Sequence, residues 1–192
     1  MAAACAASES PAAGRPYAPR PGAPRIVMLV GLPGSGKSSF AASLARAGWG
    51  VCSSDELRSR KGQFETSLGI ASKSSALSWR PLVVDKCCVA PAERKRLLDL
   101  MYAPEPKDVA AIFFNKTAED CIASICSRKG HPTISLTSPA ACGRIVDGFV
   151  KKLVPPTEAE GFGSVLEVTS HDEADALLRS MFDVEPIVSR WL

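Results

Sequence analysis

A glycine-rich segment near the beginning of the chain constrains the fold more than any other feature of the sequence. It reads GLPGSGKS from Gly31 to Ser38 and matches the pattern G-x-x-x-x-G-K-[ST] at every fixed position. The continuously apolar run IVMLV (Ile26–Val30) precedes it, as expected of a buried parallel strand, and Ser38–Ala47 shows helical spacing. Because the pattern lies between a strand and a helix, the sequence predicts a loop that holds the β- and γ-phosphates of a nucleoside triphosphate.

The fixed residues of this loop each have a chemical reason. Glycines let the backbone curl so that successive N–H groups point at a phosphate, and the following helix adds unpaired amides and its dipole. Lys37 reaches the β- and γ-phosphate oxygens as a positive charge, and the Ser38 hydroxyl can ligate Mg²⁺. The predicted nucleotide-binding residues are Gly31, Leu32, Pro33, Gly34, Ser35, Gly36, Lys37, Ser38 and Ser39.

The rest of the chain alternates apolar runs with helical patterns. The predicted strands cover residues 26–30, 50–52, 82–85, 108–114 and 164–168. The predicted helices cover residues 38–47, 91–102, 117–126, 138–153 and 171–182, with a short helix from Asp55 and a poorly patterned one over 62–80. Strands that alternate with helices and show little polar alternation predict an α/β fold of the P-loop NTPase type, a three-layer α/β/α sandwich around a mainly parallel sheet.

Composition limits the remaining classes of protein. A chain of 192 residues is long enough for one domain, and a net charge of +3 tolerates an anionic partner without requiring one. Residues 1–24 are rich in Ala and Pro, which predicts a disordered tail ahead of one domain at 25–192. No stretch approaches about 18 apolar residues, so no membrane partner is expected.

The cysteines and the tail bear on location. Seven cysteines without paired CxxC spacing indicate free thiols in a reducing compartment rather than a disulfide framework or a zinc site. We therefore expect an intracellular protein, nuclear or cytoplasmic. Organelle targeting by the tail stays open, since it carries Arg15 and Arg20 against one acid.

A second motif, VCSSDELR, follows the second predicted strand. In open α/β sheets ligands bind at the carboxyl ends of strands, so Asp55 is expected in the crevice of the glycine loop, with Arg58 beside it. A carboxylate there can accept the proton of an attacking hydroxyl, and an arginine can hold an anionic acceptor. The alternative is that Ser54 or Asp55 simply caps a helix.

Together, GLPGSGKSSFA and SSDELR resemble the polynucleotide 5′-hydroxyl kinase family. The resemblance covers about residues 26–170 and implies a helical lid, with ATP and Mg²⁺ as cofactors. It implies that Asp55 is the general base, that Arg58 contacts the acceptor phosphate, and that the acceptor is a nucleic-acid 5′ end, DNA or RNA. Catalytic roles are expected for Asp55, Lys37 and Arg128, the last in the lid-like segment Ile122–Pro132, with Arg144 a weaker candidate.

The likeness extends to three further positions. Asp85 ends the strand LVVD and is expected to help order the metal with Ser38, or else to cap the following turn. Arg94, in the PAER segment, is expected on a solvated helix face because Glu93–Arg96 is a run of charges. The phrase Pro155–Val168 is similar to the E-G-F segment before the last strand of eukaryotic kinases of this group.

Two other functions are consistent with the same motifs. One is a kinase of this fold that phosphorylates a small-molecule hydroxyl, and the other is a non-catalytic nucleotide-binding module. A polynucleotide acceptor needs a basic channel, which the clusters at 58–61, 94–96 and 151–152 could provide, although each is also typical of a solvated surface.

Overall fold

Short apolar segments pair into one parallel sheet. In the described residues its five strands are β1 (Ile26–Gly31), β2 (Gly50–Ser53), β3 (Leu82–Asp85), β4 (Val109–Phe114) and β5 (Ser164–Val168). The structure is a computed structural model that describes residues 22–55, 63–78, 80–102, 105–127 and 138–187. The strand order is β2-β3-β1-β4-β5, so the strand that carries the glycine loop is central.

The strands read as unbroken apolar runs because helices cover both faces of the sheet. Side chains of β1 alternate between the two faces: Met28 packs on one side and Leu29 on the other, and both are fully buried. In register, Ile26 lies opposite Leu82 of β3 and Val109 of β4. The site-bearing strand is therefore paired along both edges.

Six helices in the described residues complete the layers. They are α1 (Lys37–Arg46), α2 (Gln63–Ser78), α3 (Pro91–Leu100), α4 (Ala118–Ser127), α5 (Pro139–Val150) and α6 (His171–Phe182). Helices α1 and α6 contribute Phe40 and Phe182 to the core on one face, while α2 and α3 contribute Leu68 and Leu97 on the other. Helices α4 and α5 pack on each other beside Leu32.

This arrangement confirms the predicted three-layer α/β/α sandwich. The predicted strands and helices agree with the observed ones to within a few residues, and the weakly patterned stretch 62–80 contains the 16-residue helix α2. The short helix predicted from Asp55 and most of the predicted tail lie outside the described residues, and the division into a tail and one domain stays a prediction. No helix in the described part of the chain is long and apolar enough to cross a membrane.

Candidate nucleotide and acceptor site

The glycine loop connects the carboxyl end of β1 to the N-terminus of α1, and close packing requires its glycines. A Cβ on Gly31 would lie 2.8 Å from the carbonyl oxygen of Phe114. Gly34 has φ +85°, and a Cβ there would collide with the carbonyl oxygen of Cys121 in α4. Both positions exclude larger residues, so the sequence pattern reflects the contacts of the folded loop.

The N-terminus of α1 is open to an anion. Its cap residue, Gly36, is in the left-handed conformation and provides no side-chain hydrogen bond, and the first turn carries no acidic residue. The first amides of an α-helix lack partners within the helix and carry the positive end of its dipole. Ser38 is exposed in this turn. The loop and helix together fit a phosphate group.

The side chain of Lys37 folds back into the glycine loop. Its side chain is buried, and Nζ donates hydrogen bonds to the carbonyl oxygen of Leu32 at 2.6 Å and to Oγ of Ser35 at 3.2 Å. The ammonium group is thereby held by one backbone carbonyl and one side-chain hydroxyl of the loop. A phosphate bound by these amides would meet a positive charge at short range.

Asp55 and Asp85 stand at the ends of neighbouring strands. Ser53 of β2 pairs with Asp85 of β3, and the amide of Ser54 donates to the carbonyl oxygen of Asp85 at 3.1 Å. Asp55 follows directly and is exposed. Both acids therefore lie at the same edge of the sheet as the glycine loop.

Cys87 connects these acids to the glycine loop. Its carbonyl oxygen accepts from the amide of Gly31 at 3.0 Å, and its thiol lies close to the Lys37 ammonium group. Burial raises the pKa of the Cys87 thiol, Lys37 lowers it, and Asp55 and Asp85 raise it further. Both carboxylates and the Lys37 ammonium group therefore lie within electrostatic range of the same thiol.

The residues present also fit a magnesium ion bound together with a triphosphate. Ser38 and Asp85 offer hydroxyl and carboxylate oxygens, the donors that Mg²⁺ prefers. Among the described residues, no group of three or more His, Cys, Asp or Glu side chains is arranged to hold a metal. Mg²⁺ commonly takes one or two protein oxygens and completes its shell with phosphate oxygens and water.

Arg94 is buried, so its predicted place on a solvated helix face is wrong. Its Nη1 donates to the carbonyl oxygens of Cys88, Val89 and Val154 at 3.0 to 3.1 Å. Its Nε and Nη2 bind the carboxylate of Glu160 at 2.7 and 2.8 Å. The guanidinium group thus fixes the segment after Asp85, in which Cys88 has φ +47°.

A signal for this position was present in the sequence. Arg94 precedes Leu97 by three residues and Leu98 by four, so it shares their buried helix face. Glu160 belongs to the E-G-F segment, whose Phe162 is buried in the same core. The prediction of a solvated face relied on the charge run Glu93–Arg96 and did not use this helical spacing.

Other predicted residues are not brought to the site by the described structure. Arg58 and Arg128 lie outside the described residues. Arg144 is exposed on α5. In the cluster at 94–96, Lys95 pairs with Asp99 at 3.2 Å and Arg96 with Glu65 at 2.7 Å. With Arg94 buried, Lys95 and Arg96 are the exposed basic side chains of this cluster, and each is paired with a carboxylate at the surface.

Residues 26–141, more than half of the chain, match the AAA domain family. The chain belongs to this family. No curated protein matches this AAA domain protein in sequence.

Solved kinases share the fold of this AAA domain protein at low sequence identity. A fungal RNA kinase is 15% identical over 82% of this chain and 87% of its own, with a TM-score of 0.61. A sugar kinase from Janibacter sp. is 16% identical over 87% and 99%, with a TM-score of 0.59. An APS kinase from Mycobacterium tuberculosis, in complex with AMPPNP and APS, is 20% identical over 82% and 97%, with a TM-score of 0.52. The AAA domain protein has a P-loop kinase-like fold.

Proposed function

We propose that this AAA domain protein is an ATP- and Mg²⁺-dependent kinase that transfers the γ-phosphate to a hydroxyl group. One observation carries the proposal: the exposed carboxylate of Asp55 lies within electrostatic range of the Cys87 thiol, which is itself close to the Lys37 ammonium group. A nucleotide switch has no need of an acid at that place. A kinase does, because the attacking hydroxyl must lose a proton next to the γ-phosphate.

Different residues of the chain have different roles in the in-line transfer of the γ-phosphate. The glycine loop and the N-terminus of α1 hold the phosphates, and Lys37 offsets their charge. Asp55 orients the acceptor hydroxyl and takes its proton, while Asp85 and Ser38 would hold the Mg²⁺, which supplies further neutralisation of the β- and γ-phosphates when bound. Arg128 is expected to stabilise the transferring group, on the sequence resemblance alone.

The acceptor we propose first is a 5′-hydroxyl end of DNA or RNA. The motifs of the glycine loop and of SSDELR support it, and a fungal RNA kinase has the same fold. The second candidate is a small-molecule hydroxyl. It is favoured by the burial of Arg94, because this leaves the 94–96 cluster with two exposed basic side chains, both paired with acids.

An acceptor panel tests the proposal. ATP labelled in the γ-phosphate is offered with a 5′-hydroxyl oligodeoxynucleotide, the matching oligoribonucleotide, and a set of nucleosides and sugars, with Lys37→Met as the inactive control. Label on an oligonucleotide supports the first candidate, and label on a nucleoside or sugar alone supports the second. If the protein binds ATP and labels none of them, the kinase proposal is contradicted.

Salt dependence separates the two acceptor classes independently. Binding of a polynucleotide through several phosphate contacts weakens steeply as salt rises, with a logarithmic slope of about 0.9 per contact for duplex DNA. A small neutral acceptor should show almost no slope. A flat salt response with a labelled oligonucleotide would contradict a nucleic-acid channel.

A further inference from the structure

Two thiols touch between helices α4 and α5. The Sγ atoms of Cys126 and Cys142 are 3.2 Å apart, although the residues are separated by 16 positions in the sequence. Cys126 is half-buried near the end of α4, and Cys142 is fully buried on α5. Neither residue has a part in the phosphate site described above.

The geometry favours a bond between these two sulfur atoms. A disulfide has an S–S distance of about 2.05 Å, so the sulfur atoms must approach by roughly 1.2 Å, which side-chain rotation and a small helix shift can supply. The half-buried thiol gives an oxidant access, and the buried thiol lies in contact, ready to resolve the first oxidation product.

Other described thiols lack this combination. Cys121 lies in the same apolar cluster, but its side chain is fully buried, so an oxidant has no access to its thiol. Cys88 is buried as well, and Cys87 faces Lys37. Only the pair Cys126–Cys142 has an Sγ–Sγ contact between cysteines in the described part of the chain.

We propose that Cys126 and Cys142 are a site of thiol modification that forms a reversible disulfide with a peroxide. The Cys126 thiolate attacks one oxygen of hydrogen peroxide and becomes a sulfenic acid; the O–O bond breaks, and the hydroxide that leaves is protonated to water. The Cys142 thiol then attacks the sulfenic sulfur, loses its proton, and releases a second water. Two thiols are oxidised and one peroxide is reduced to two waters.

This disulfide would tie together the helices that support the glycine loop. Leu32 packs in the same cluster as Cys142, and Gly34 lies against Cys121 and Ile125 of α4. The bond links two residues 16 positions apart in the sequence. A cross-link over a loop of this length stabilises the fold mainly because it restricts the unfolded chain. We expect the oxidised protein to melt about 5 °C higher than the reduced protein.

The thiol–thiol contact also affects how the rate of disulfide formation depends on pH. The hydrogen bond to Cys142, with burial and charge repulsion from it, raises the pKa of the Cys126 thiol. Less thiolate is then present at neutral pH, so the rate of disulfide formation should increase as pH rises from about 7 to 9.

The experiment treats the full chain with hydrogen peroxide and maps its cysteines under non-reducing conditions. The expected product has lost two hydrogen atoms in mass, gives one linked peptide with Cys126 and Cys142, melts higher, and reverts with dithiothreitol. Cys126→Ser should give no linked peptide and no shift in melting temperature. Cys5→Ser, a matched control outside the described residues, should behave as the parent protein does.

Two results would overturn the proposal, and both are read in the parent protein, whatever the variants do. One is peroxide treatment that oxidises Cys126 to sulfinic acid without a linked peptide. The other is a linked peptide that joins a different pair of cysteines.

Discussion

Asp55 is the residue whose replacement distinguishes a kinase from a protein that only binds a nucleotide. Its carboxylate lies within electrostatic range of Cys87 and outside the glycine loop. Asp55→Asn should therefore reduce the rate of phosphoryl transfer by about 10²- to 10⁴-fold, the usual contribution of a general base, while ATP affinity changes little.

Transfer rate and ATP binding need to be measured on the same preparations. Asp99→Asn is the matched control, because that exposed acid pairs only with Lys95 on the surface in the described structure. Equal loss of ATP binding and transfer in Asp55→Asn would show that the acid holds the nucleotide rather than the acceptor.

Gly34 carries a different residue-level prediction. Gly34→Ala places a methyl group against the carbonyl oxygen of Cys121 and forces an L-residue into φ +85°. The left-handed conformation alone costs about 1 to 2 kcal/mol, so the melting temperature should fall, and ATP affinity with it.

Gly148→Ala is the control for this change. Gly148 lies in α5, and a Cβ there meets nothing within 4 Å. Alanine is favoured over glycine in a helix by up to about 1 kcal/mol, so this variant should be slightly more stable. If both variants melt at the parent temperature, the loop packs more loosely than described.

At the scale of elements, the ion pair between Arg94 and Glu160 joins α3 to the turn before β5. Glu160→Gln leaves a fully buried guanidinium group without its counter-charge, which typically costs about 3 kcal/mol or more. Chemical denaturation should show this loss at neutral pH. Glu158→Gln, an exposed neighbour in the same turn, should be within about 0.5 kcal/mol of the parent.

The same pair predicts a pH dependence of stability. Burial by itself raises the pKa of the Glu160 carboxyl, but its hydrogen bonds with Arg94 and with the Thr157 amide outweigh burial and hold the pKa below 4.5. The pair therefore stabilises the fold fully above pH 4.5 and is lost as pH falls through the lowered value. Between pH 6 and 3 the parent should lose more stability than Glu160→Gln; parallel curves would contradict this.

Elements were predictable where a local pattern determines them. The apolar runs gave the five strands, since strands covered on both faces need no polar alternation. The partners of Arg94 were not predictable by spacing along one helix, because Glu160 and Val154 reach it from distant segments. Local periodicity shows which face of a helix is buried, but it does not show what lies opposite.

At the scale of the whole molecule, the sequence predicted the layers and the glycine loop but not the strand order. Strand β1 pairs with β3 and β4 rather than with β2, its neighbour in sequence. The crevice could be anticipated because parallel strands end at one edge, and the described geometry brings Asp55 and Asp85 there. The proposed roles of Arg58 and Arg128 come from the family resemblance. The acceptor panel described above identifies the acceptor.

The central position of β1 also has a consequence during protein synthesis. Of the five described strands, β1 leaves the ribosome first, yet its register partners begin at Leu82 and Val109. Until both have emerged, the hydrogen-bonding edges of a nascent β1 are unpaired, which is the kind of surface that chaperones shield. A fragment that stops before Val109 would contain the complete GLPGSGKS segment, but it would lack β4, so one edge of β1 would stay unpaired.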